Sequence, residues 1–512
     1  MPDTRMPNVK KPDPMKPSRI IKFGGTSVGD ATRIRKVVEI IRDSASDSDL
    51  VVVVSAMSGV TNKLIEAAAQ SEAGNNATVD GIFEELRSRH DAVAGALIHS
   101  IPLRGRIQLS LQQIFQEGER LCQGTALLRE LTPRVRDAIS SLGERLSAPL
   151  VAAALAESGM SSEAVVATEL VVTDSCHGAA EPLMDATRQR CEARLRPLLR
   201  HGIVPVVTGF IGATADGVLT TLGRGGSDYS ATILGVALDA DEVIIWTDVD
   251  GLMTADPRLV PEAATIPEIS YREAAELAHF GAKVLHPKTI SAVTAHGIPL
   301  WIRNTFSPDL PGTRITPNGS SADAGVKGLT AITEVVLITV GGPGIVGVPD
   351  VLGRTFATTA AVRANVLLIT QSSSQNDICL VVASSAAQST VEALRREFAQ
   401  DLAHEKVEHI TLDPTVAIVT VVGKKMRSSG AVGRTFSALS RENVNIVAIA
   451  QGASECNISF VVPEWDVKAA LEATHREFQL GTLDAPALPV KSVSVDPAAW
   501  QFESGQRTAN AD

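Results

Sequence analysis

Short apolar segments alternate with amphipathic segments along roughly the first 300 residues, which is the pattern of strands followed by helices. An apolar run at 20–23 ends in a glycine-rich turn, and a helical pattern follows over 30–42. Residues 50–54 are almost all β-branched and are apolar on both faces, which predicts a strand buried in a parallel sheet. The other predicted strands cover residues 164–172, 203–208, 242–246 and 298–302. We expect the last of these to close an α/β domain whose open, mainly parallel sheet is sandwiched by helices.

A helical pattern also dominates residues 63–157, where strand formers are few. Thr61 lies just before it, in the loop that follows a predicted strand. Ligands collect at the carboxyl ends of strands in open α/β sheets, so Thr61 is a candidate site residue. It is also a candidate N-cap for a helix beginning near Lys63, and the sequence favours the cap. Glu144 lies beside Arg145 in the helical stretch, and the ordinary interpretation is a solvated pair.

The region beyond residue 330 contains an internal repeat. Gly-Arg-Thr-Phe at 353–356 recurs at 433–436, a spacing of about 80 residues. The same spacing relates three further pairs of polar residues, which are Asn365 and Asn445, Gln371 and Gln451, and Ser374 and Ser454. Each copy predicts a small βαββαβ unit. Neither copy carries an obvious nucleophile, base or metal cluster, so a dimerisation module and a ligand sensor are both open.

Composition divides the chain into folded parts between two tails. The segment 308–326 is rich in Pro, Gly, Ser and Asp, which is typical of a domain boundary. The predicted parts are a disordered tail at 1–18, a large α/β domain at 19–320, repeat units at 330–410 and 411–495, and a disordered tail at 496–512. A length of 512 residues also predicts about three domains.

The turn from Lys22 to Gly25 has the outline of a phosphate site. Glycines let an anion approach the backbone N–H groups, and the following helix adds the positive end of its dipole. Lys22 adds a mobile cation. The alternative is an ordinary strand-to-helix turn with paired glycines. It is not a Walker A loop, because no Gly-x-x-x-x-Gly-Lys-Ser/Thr motif occurs in the chain.

A second glycine-rich turn places Arg224 among three glycines, just before another predicted helix. Glycine amides at a helix N-terminus together with a guanidinium fork suit a carboxylate or a phosphate. The alternative is an arginine that packs a loop.

Acidic residues follow the strand predicted at 242–246. Asp248 and Asp250 come directly after it, and Asp256 lies shortly beyond. Three carboxylates at a strand end can hold a divalent cation, hydrogen-bond a ribose or base, or form Asx turns. The sequence leaves these three possibilities open.

Composition narrows the class of protein. A formal net charge of -11 argues against a general nucleic-acid binder. The five scattered cysteines suit a reducing cytosol and give no support for a zinc site. No apolar run reaches the roughly 18 residues that span a bilayer, and the N-terminus does not resemble a signal peptide. We therefore expect a cytoplasmic protein without membrane or nucleic-acid partners.

Five motifs, in their order and spacing, resemble the signatures of the aspartate kinases. They cover residues 22–28, 143–147, 222–228, 246–251 and 280–287. The repeats resemble the tandem ACT domains of the same family, and the likeness extends over about 20–490. The resemblance implies an amino-acid-kinase-like domain at 19–320, with 63–157 as a largely helical insertion on the substrate side, followed by two ACT-like domains.

The resemblance implies ATP-dependent phosphorylation of the side-chain carboxylate of L-aspartate to 4-phospho-L-aspartate, a step towards lysine, threonine and methionine. Lys22 would stabilise the transferring phosphoryl group, and Asp228 would orient Lys22. Glu144 would bind the ammonium of aspartate and Arg224 its α-carboxylate. The residues implied to bind aspartate are Thr61, Glu144, Arg224, Gly225, Gly226 and Ser227. Those implied to bind nucleotide are Lys22, Phe23, Gly24, Gly25, Thr247, Asp248, Met253, Arg258, Lys283 and Val284.

Two points of chemistry agree with the residues present. A carboxylate of pKa about 4 is ionised at neutral pH, so no general base is needed, and Mg²⁺ carried by the ATP phosphates would supply charge. The protein itself is expected to have no metal site. Met253 departs from the family, in which many members have a tyrosine in the nucleotide pocket, although a thioether can still pack on an adenine face.

The repeats are implied to report an end product of the pathway. The residues implied in this allosteric role are Asn365, Gln371, Ser374, Asn445 and Gln451. The repeats are most similar to the threonine-sensitive branch, so threonine is favoured over lysine. That branch is often fused to a homoserine dehydrogenase, and we expect this chain to be the kinase alone. A homodimer through the ACT domains is also expected.

Three alternatives are weighed against this interpretation. Another amino-acid kinase, acting on glutamate or a carbamate, is disfavoured by Glu144 together with Arg224. A non-catalytic amino-acid-binding regulator would be indicated by loss of Lys22, Arg224 or Asp228, and all three are present. A purely structural oligomer leaves the two glycine turns with their cations unexplained.

Overall fold

The computed structural model of the protein describes residues 17–280, 285–320, 325–342, 349–371, 376–426, 430–452 and 455–482. The described strands of the N-terminal domain are β1 (Ser18–Phe23), β2 (Asp49–Val54), β3 (Ser162–Val165), β4 (Val204–Thr208), β5 (Ile211–Ala213), β6 (Leu219–Thr221), β7 (Glu242–Thr247), β8 (Glu268–Ser270), β9 (Leu300–Asn304) and β10 (Thr313–Thr316). The described helices are α1 (Ala31–Ala45), α2 (Val60–Ala73), α3 (Asn76–Leu97), α4 (Ile101–Leu128), α5 (Pro133–Ser140), α6 (Leu142–Glu157), α7 (Met184–Arg200), α8 (Gly226–Ala237), α9 (Tyr271–His279) and α10 (Pro287–Thr294).

Eight strands form one open sheet in the order β3-β4-β2-β1-β7-β9-β10-β8, and β5 and β6 form a separate hairpin. The six strands from β3 to β9 along this order run parallel, whereas β10 is antiparallel to β9. Helices cover both faces, because strand side chains alternate between two apolar clusters. Phe23 of β1, for example, belongs to the cluster on the side of α1–α6, and Ile20 to the one on the side of α7–α10. The predicted fold class is confirmed.

The predicted helical stretch 63–157 is confirmed as α2 to α6. Its first helix begins earlier than expected, at Val60, because Gly59 turns the chain with φ 81 and is the N-cap. Thr61 therefore lies in the first turn, half-buried, and the prediction that it caps the helix is wrong. This leaves Thr61 in the first turn of α2, just beyond the loop that follows β2, where it stays a candidate site residue.

Two strand predictions are wrong. The strand expected over 164–172 ends at Val165 in β3, and a 3-10 turn follows at Ala167–Glu169. The turn is held by a hydrogen bond of 2.8 Å from Ala167 N to Thr208 Oγ1, which ends the ladder with β4. The strand at 298–302 does not close the sheet, because β10 adds a further strand inside the segment predicted to be a boundary. Its short threonine-rich sequence carries little apolar signal.

The C-terminal part contains one six-stranded sheet in the order β12-β13-β11-β14-β16-β15. The strands are β11 (Gly325–Gly341), β12 (Val366–Gln371), β13 (Asp377–Ala383), β14 (His409–Lys424), β15 (Ala448–Ala450) and β16 (Asn457–Pro463). The described helices are α11 (Pro349–Ala361), α12 (Ser384–Glu397), α13 (Ala399–Ala403), α14 (Ala431–Arg441) and α15 (Val467–Glu477).

The two long central strands connect the repeat units. The second half of β11, residues 335–341, pairs with β13 and with 409–413 of β14, which completes the first βαββαβ unit in sequence order. The second half of β14 pairs with β16 on one side and with residues 325–332 of β11 on the other. The second unit is thus completed by a strand segment that precedes the first unit in sequence. The predicted repeat boundaries at 330, 410 and 411 do not account for this segment.

The repeated Gly-Arg-Thr-Phe motif has a structural role in both units. In the first unit, Arg354 Nε donates to Glu397 Oε1 at 2.7 Å, and its guanidinium carbon lies 4.5 Å from the centroid of the Phe398 ring. Arg434 makes the same contacts in the second unit, with Glu477 at 2.9 Å and with the aromatic ring that follows it. In each unit, the arginine therefore ties the first helix to the end of the second.

The second unit packs directly on the N-terminal domain. Leu329 N donates to Thr254 O at 2.7 Å, and His475 Nε2 lies 3.0 Å from the Thr254 hydroxyl. Asn457 Nδ2 donates to Glu276 Oε2 of α9 at 2.5 Å. These contacts attach the second unit to the loop after β7 and to α9, both of which border the predicted nucleotide side.

We expect Arg434→Ala to lower the stability of the C-terminal sheet. The variant loses the hydrogen bond to Glu477, a second bond of 2.5 Å to the Glu477 carbonyl and the ring contact, together worth about 1–2 kcal/mol. Scanning calorimetry of the full chain should show a lower Tm for the transition of this region.

Arg441→Ala is the matched control, because Arg441 contacts the same Glu477 through one exposed ion pair of small expected value. Arg434→Lys should not restore Tm, since a compact ammonium does not reproduce the planar fork that reaches both oxygens of Glu477 and stacks on the Phe478 ring. Equal Tm values for Arg434→Ala and Arg441→Ala would show that the motif does not hold the helices together.

Candidate active site

The candidate site lies where the parallel strands end. Because the carboxyl ends of parallel strands meet at one edge of a sheet, the segments after β1, β2 and β7 lie side by side. Gly24 N donates to Trp246 O at 3.1 Å, and Ser58 N donates to Gly25 O at 3.0 Å. A Cβ atom on Gly25 would lie 2.7 Å from Ala56 O. The first glycine turn is therefore packed between the loops of its two neighbouring strands, and only glycine fits at position 25.

The two cationic turns meet through an ion pair. Lys22 Nζ contacts Asp228 Oδ1, and the two side chains are only 9% and 14% exposed. Asp228 lies in the first turn of α8, where a carboxylate is favoured by the helix dipole. The contact brings motifs 22–28 and 222–228 to one place. The proposed roles of these residues stay predictions that this geometry supports.

Glu144 lies in the first turn of α6 and is 3% exposed, so the solvated interpretation is wrong. Arg145 instead forms an ion pair with Glu117 at 2.6 Å on the outer surface. Burial raises the pKa of Glu144 to about 8, against the opposing effects of a backbone hydrogen bond at Ala56 and the charge of Lys22. Its Oε2 has no hydrogen-bond partner among the residues that the structure describes.

Close packing holds Glu144 against the loop after β2. A Cβ on Gly143 would lie 2.6 Å from the Ala56 Cβ, so α6 lies too close to this loop for any residue but glycine at position 143. Ser147 Oγ, one turn later on the helix, donates to Ser55 O at 2.7 Å. The start of α6 thereby forms one wall of the site.

The Arg224 turn is held by two glycines in the left-handed region, Gly223 with φ 80 and Gly225 with φ 71. Arg224 is exposed, and the structure shows no ion pair for it within the described residues. Gly226 and Ser227 follow at the start of α8, and a Cβ on Gly209 would lie 2.7 Å from the Ser227 Cβ. The turn thus presents a free guanidinium beside the N-terminus of a helix, which suits an anion.

On the side of β7 the predicted nucleotide residues are more spread out. Thr247 Oγ1 donates to Asp248 Oδ1 at 3.2 Å, and Asp248 is exposed. Met253 is half-buried. Arg258 is 75% exposed and lies 2.6 Å from Asp256, whose hydrogen bonds raise the pKa of Arg258. Arg258 is thus held by a neighbouring carboxylate rather than directed at the Lys22 region.

The three carboxylates expected after β7 have different partners. Asp250 accepts a hydrogen bond from Asn304 Nδ2 at 2.6 Å, and Asp256 pairs with Arg258. In the part of the chain that the structure describes, no three His, Cys, Asp or Glu side chains converge as metal ligands. Lys283, Val284 and Ser374 lie outside the described residues.

His286 belongs to the 280–287 motif and was expected to be structural, and it lies beside the Arg224 turn. A Cβ on Gly225 would lie 2.7 Å from the His286 Cβ, so this side chain packs on the Arg224 turn. Burial lowers the pKa of His286, and the charges of Lys288 and Arg224 lower it further. No sequence signal indicates this contact, since His286 lies 61 positions beyond Gly225.

The predicted sensor residues lie at matching places in the two repeat units. Gln371 ends β12, and Gln451 follows β15 directly. Asn365 and Asn445 lie before the same two strands, and all four side chains are exposed. Because β12 and β15 are the outermost strands of the sheet, these amides are accessible to a ligand or to another chain.

Comparison with known proteins assigns the family. Residues 18–304 match the amino acid kinase family, and residues 338–398 and 419–478 match the ACT domain. The bifunctional aspartokinase/homoserine dehydrogenase 1, chloroplastic, of Arabidopsis thaliana is 36% identical over 466 residues, which are 90% of this chain and 51% of that protein. Aspartokinase 1, chloroplastic, of the same plant is 32% identical over 473 residues, which are 90% of this chain and 80% of that protein.

Solved structures agree with this assignment. E. coli aspartokinase III in complex with aspartate and ADP (R-state) has a TM-score of 0.76 at 30% identity, covering 90% of this chain and 100% of that one. Its complex with lysine and aspartate (T-state) has a TM-score of 0.74 at 30% identity, covering 90% and 99%. The chain belongs to the amino acid kinase family and, within it, to the aspartokinases.

The chain spans about half the length of the first curated relatives it matches, which are bifunctional proteins. Across the described residues, no helix combines the length and apolarity needed to cross a bilayer.

Glu144→Gln is expected to stabilise the protein more as pH rises. The pKa of about 8 in the folded protein exceeds the ordinary value of 4.5, so the folded protein keeps a proton that the unfolded chain releases. Between these values the free energy of unfolding falls as pH rises, whereas the amide does not titrate. The gain in Tm over the native sequence should be larger at about pH 8.5 than at about pH 5.5.

Glu117→Gln is the control, because a hydrogen bond from Arg145 lowers the pKa of Glu117 below its ordinary 4.5. Its stabilising contribution is fully present above that value, so its effect on Tm should stay constant over the same pH range. An equally flat effect for Glu144→Gln would contradict a buried, protonated Glu144.

Proposed function

We propose that this chain catalyses ATP-dependent phosphorylation of the side-chain carboxylate of L-aspartate, which yields 4-phospho-L-aspartate. The observation that carries the proposal is the buried Lys22–Asp228 ion pair, with Glu144 buried nearby and without a partner for one oxygen. A phosphoryl donor and an α-amino acid are the ligands that this set of charges fits. The aspartokinase relatives support the choice of aspartate.

The reaction requires alignment and charge stabilisation rather than a base. The aspartate carboxylate is ionised at neutral pH and attacks the γ-phosphorus of ATP, while the bond to ADP breaks. The Lys22 ammonium offsets negative charge on the transferring group, and Asp228 holds the ammonium in position. The Gly24 N–H already donates to the Trp246 carbonyl, so backbone donors for the phosphates would come from the residues that follow Gly24 in the turn.

Two groups recognise the amino acid. Arg224 forms a bidentate pair with the α-carboxylate, because its guanidinium is exposed and has no ion-pair partner in the described structure. Glu144 accepts a hydrogen bond from the α-ammonium at Oε2, the oxygen that has no partner in the described structure. Binding of this cation stabilises the ionised form of Glu144, so the carboxyl releases its proton as the substrate enters. Thr61, in the first turn of α2, would donate to the substrate.

Magnesium is expected to arrive on the nucleotide. Asp250 is engaged by Asn304 and Asp256 by Arg258, whereas Asp248 is exposed and accepts one hydrogen bond from the neighbouring Thr247 hydroxyl, so Asp248 is the carboxylate after β7 that would fit such an ion. Mg²⁺ commonly uses one or two carboxylates together with phosphate oxygens. When bound, it would neutralise charge on the phosphates. Thr247, Met253 and Arg258 would then border the nucleotide.

The second candidate is a non-catalytic amino-acid-binding regulator with the same fold. It needs Arg224 and Glu144 but not the Lys22–Asp228 pair. A buried ion pair costs desolvation free energy, and a protein that only binds an amino acid gains nothing from keeping it. The catalytic interpretation therefore accounts for more of the site.

The ACT domains are proposed to bind an end product of the pathway, with Asn365, Gln371, Ser374, Asn445 and Gln451 as the sensor residues. Threonine is favoured over lysine, because the repeats resemble the threonine-sensitive branch. Lysine is the alternative, since the E. coli relative was solved with lysine and aspartate. The second unit contacts Thr254 and α9, so a change in its position would reach the nucleotide side first.

The exposed outermost strands suit the proposed homodimer. Ile369 on β12 and Ile449 on β15 are each 45% exposed, and unpaired strand edges are ready to pair with another chain. A cytoplasmic location stays a prediction from composition.

The test of the proposed function is ATP-dependent formation of an acyl phosphate, trapped with hydroxylamine, with L-aspartate compared with L-glutamate. We expect product with aspartate. Lys22→Ala should lower kcat by about 10²–10³, because it removes the cation at the transferring group.

Lys36→Ala on α1 is the control, since that lysine is partly exposed and, within the described part of the chain, pairs with Glu39 on the helix surface. Because Lys22→Ala leaves Asp228 buried and unpaired, the double variant Lys22→Ala/Asp228→Asn is measured beside it, below the Tm of each. Full activity in both Lys22 variants would refute the role of Lys22. A folded native protein that binds ATP but forms no product would favour the regulator.

Gln371→Ala should weaken feedback inhibition more than it changes turnover. Loss of one amide partner of the inhibitor should raise its half-inhibiting concentration about tenfold and leave kcat within about twofold. Threonine and lysine are titrated separately against the same assay. Gln388→Ala on α12 is the control, because that exposed amide donates to Glu392 on the same helix surface. Unchanged inhibition in Gln371→Ala would place the sensor elsewhere.

A further inference from the structure

The helical insertion contributes a buried carboxylate, Asp137, that the proposed mechanism does not use. Asp137 lies on α5 and is 2% exposed. Its Oδ2 accepts hydrogen bonds from Gly178 N at 3.0 Å and Thr221 N at 3.2 Å, and its Oδ1 accepts one from Thr221 Oγ1 at 2.7 Å. His177 Nδ1 lies 2.9 Å from Oδ2. One carboxylate thus joins three separate segments of the chain.

The contacts of Asp137 converge on the turn that carries Arg224. Thr221 ends β6, three residues before Arg224. On its other side the turn packs against Gly178, because a Cβ on Gly223 would lie 2.9 Å from the Gly178 carbonyl oxygen. Asp137 therefore holds both the strand that leads into the turn and the loop that lies against it.

A buried carboxylate is a demanding way to make this connection. It is stable only when its oxygens are hydrogen-bonded, and here two backbone N–H groups, a hydroxyl and an imidazole surround it. Without Asp137, both donors of Thr221 would be left in a buried place, since Thr221 is 2% exposed. The segment would shift to find other partners, and Arg224 would shift with it.

We propose that Asp137 is a positioning residue for Arg224, through which the helical insertion sets the affinity for the α-carboxylate of the amino acid. This inference rests on the proposed function, in which Arg224 binds L-aspartate. The contacts of Asp137 reach Gly178 and Thr221 rather than Lys22 or the segment after β7, so we expect the effect to be much larger on the amino acid than on ATP, to which the Arg224 turn is connected only through the Asp228–Lys22 pair.

Cys176 offers a readout that does not depend on turnover. It is exposed and adjoins His177 and Gly178 in the loop that Asp137 holds, whereas the other four cysteines are buried or partly buried. Release of the loop changes the access of a maleimide to this thiol. The labelled peptide is identified by mass spectrometry.

The experiment compares Asp137→Ala and Asp137→Asn with the native chain. Asp137→Ala should raise KM for L-aspartate about tenfold, equivalent to about 1.4 kcal/mol, and leave KM for ATP within about twofold. It should also speed the labelling of Cys176. Asp137→Asn keeps the shape of the side chain and one accepting oxygen, so its KM for aspartate and its labelling rate should lie between those of the native chain and Asp137→Ala. His177→Ala is the control that removes one of the four contacts and keeps those to Thr221.

An unchanged KM for aspartate or an unchanged labelling rate in Asp137→Ala would overturn the inference. So would equal rises in both KM values with a lower Tm in both Asp137 variants, because that is the result of a purely structural role. If the native protein forms no phospho-aspartate, the proposed function fails by itself. In that case the affinity for aspartate, measured by calorimetry, and the labelling rate of Cys176 test the inference. If Asp137→Ala changes both, the inference is supported. If either is unchanged, the inference is refuted.

Discussion

The ion pair between Lys22 and Asp228 is the contact on which the rest of the site depends. It joins the end of β1 to the first turn of α8, segments about 200 residues apart, and both side chains are largely buried. A buried charge without a partner is costly, so each of these residues requires the other. The pair thereby holds the glycine turn at Gly24 and the Arg224 turn at one edge of the sheet.

The same constraint explains Glu144. Its carboxyl is buried on the wall next to Lys22, and burial raises its pKa to about 8. The free protein avoids an unpaired negative charge by keeping the proton, and the proposed substrate supplies the missing cation. Lys22 is a paired cation, Arg224 an exposed guanidinium and Glu144 a protonated carboxyl. Together these groups suit a zwitterionic amino acid bound beside the polyanionic phosphates of a nucleotide.

The long strand β11 connects the two repeat units of the C-terminal sheet. Residues 325–332 complete the second repeat unit, although they precede the first. The two units therefore share their central strands and cannot move independently. Because the second unit also bonds Thr254 and packs on α9, its outer strand is connected by packed residues to the predicted nucleotide side.

The sequence by itself determined the fold class and most of the elements. Strands such as β2 are continuous apolar runs because both their faces are buried, and the helical insertion shows in its periodicity. The two glycine turns were also predictable, since Gly25 lies too close to the Ala56 carbonyl oxygen for a side chain and Gly225 has φ 71. The tertiary structure alone decided that Glu144 is buried, that β10 extends the sheet, and that Asp137 reaches the Arg224 turn. These features depend on contacts between residues distant in sequence, and burial and partner choice arise only when the chain has packed.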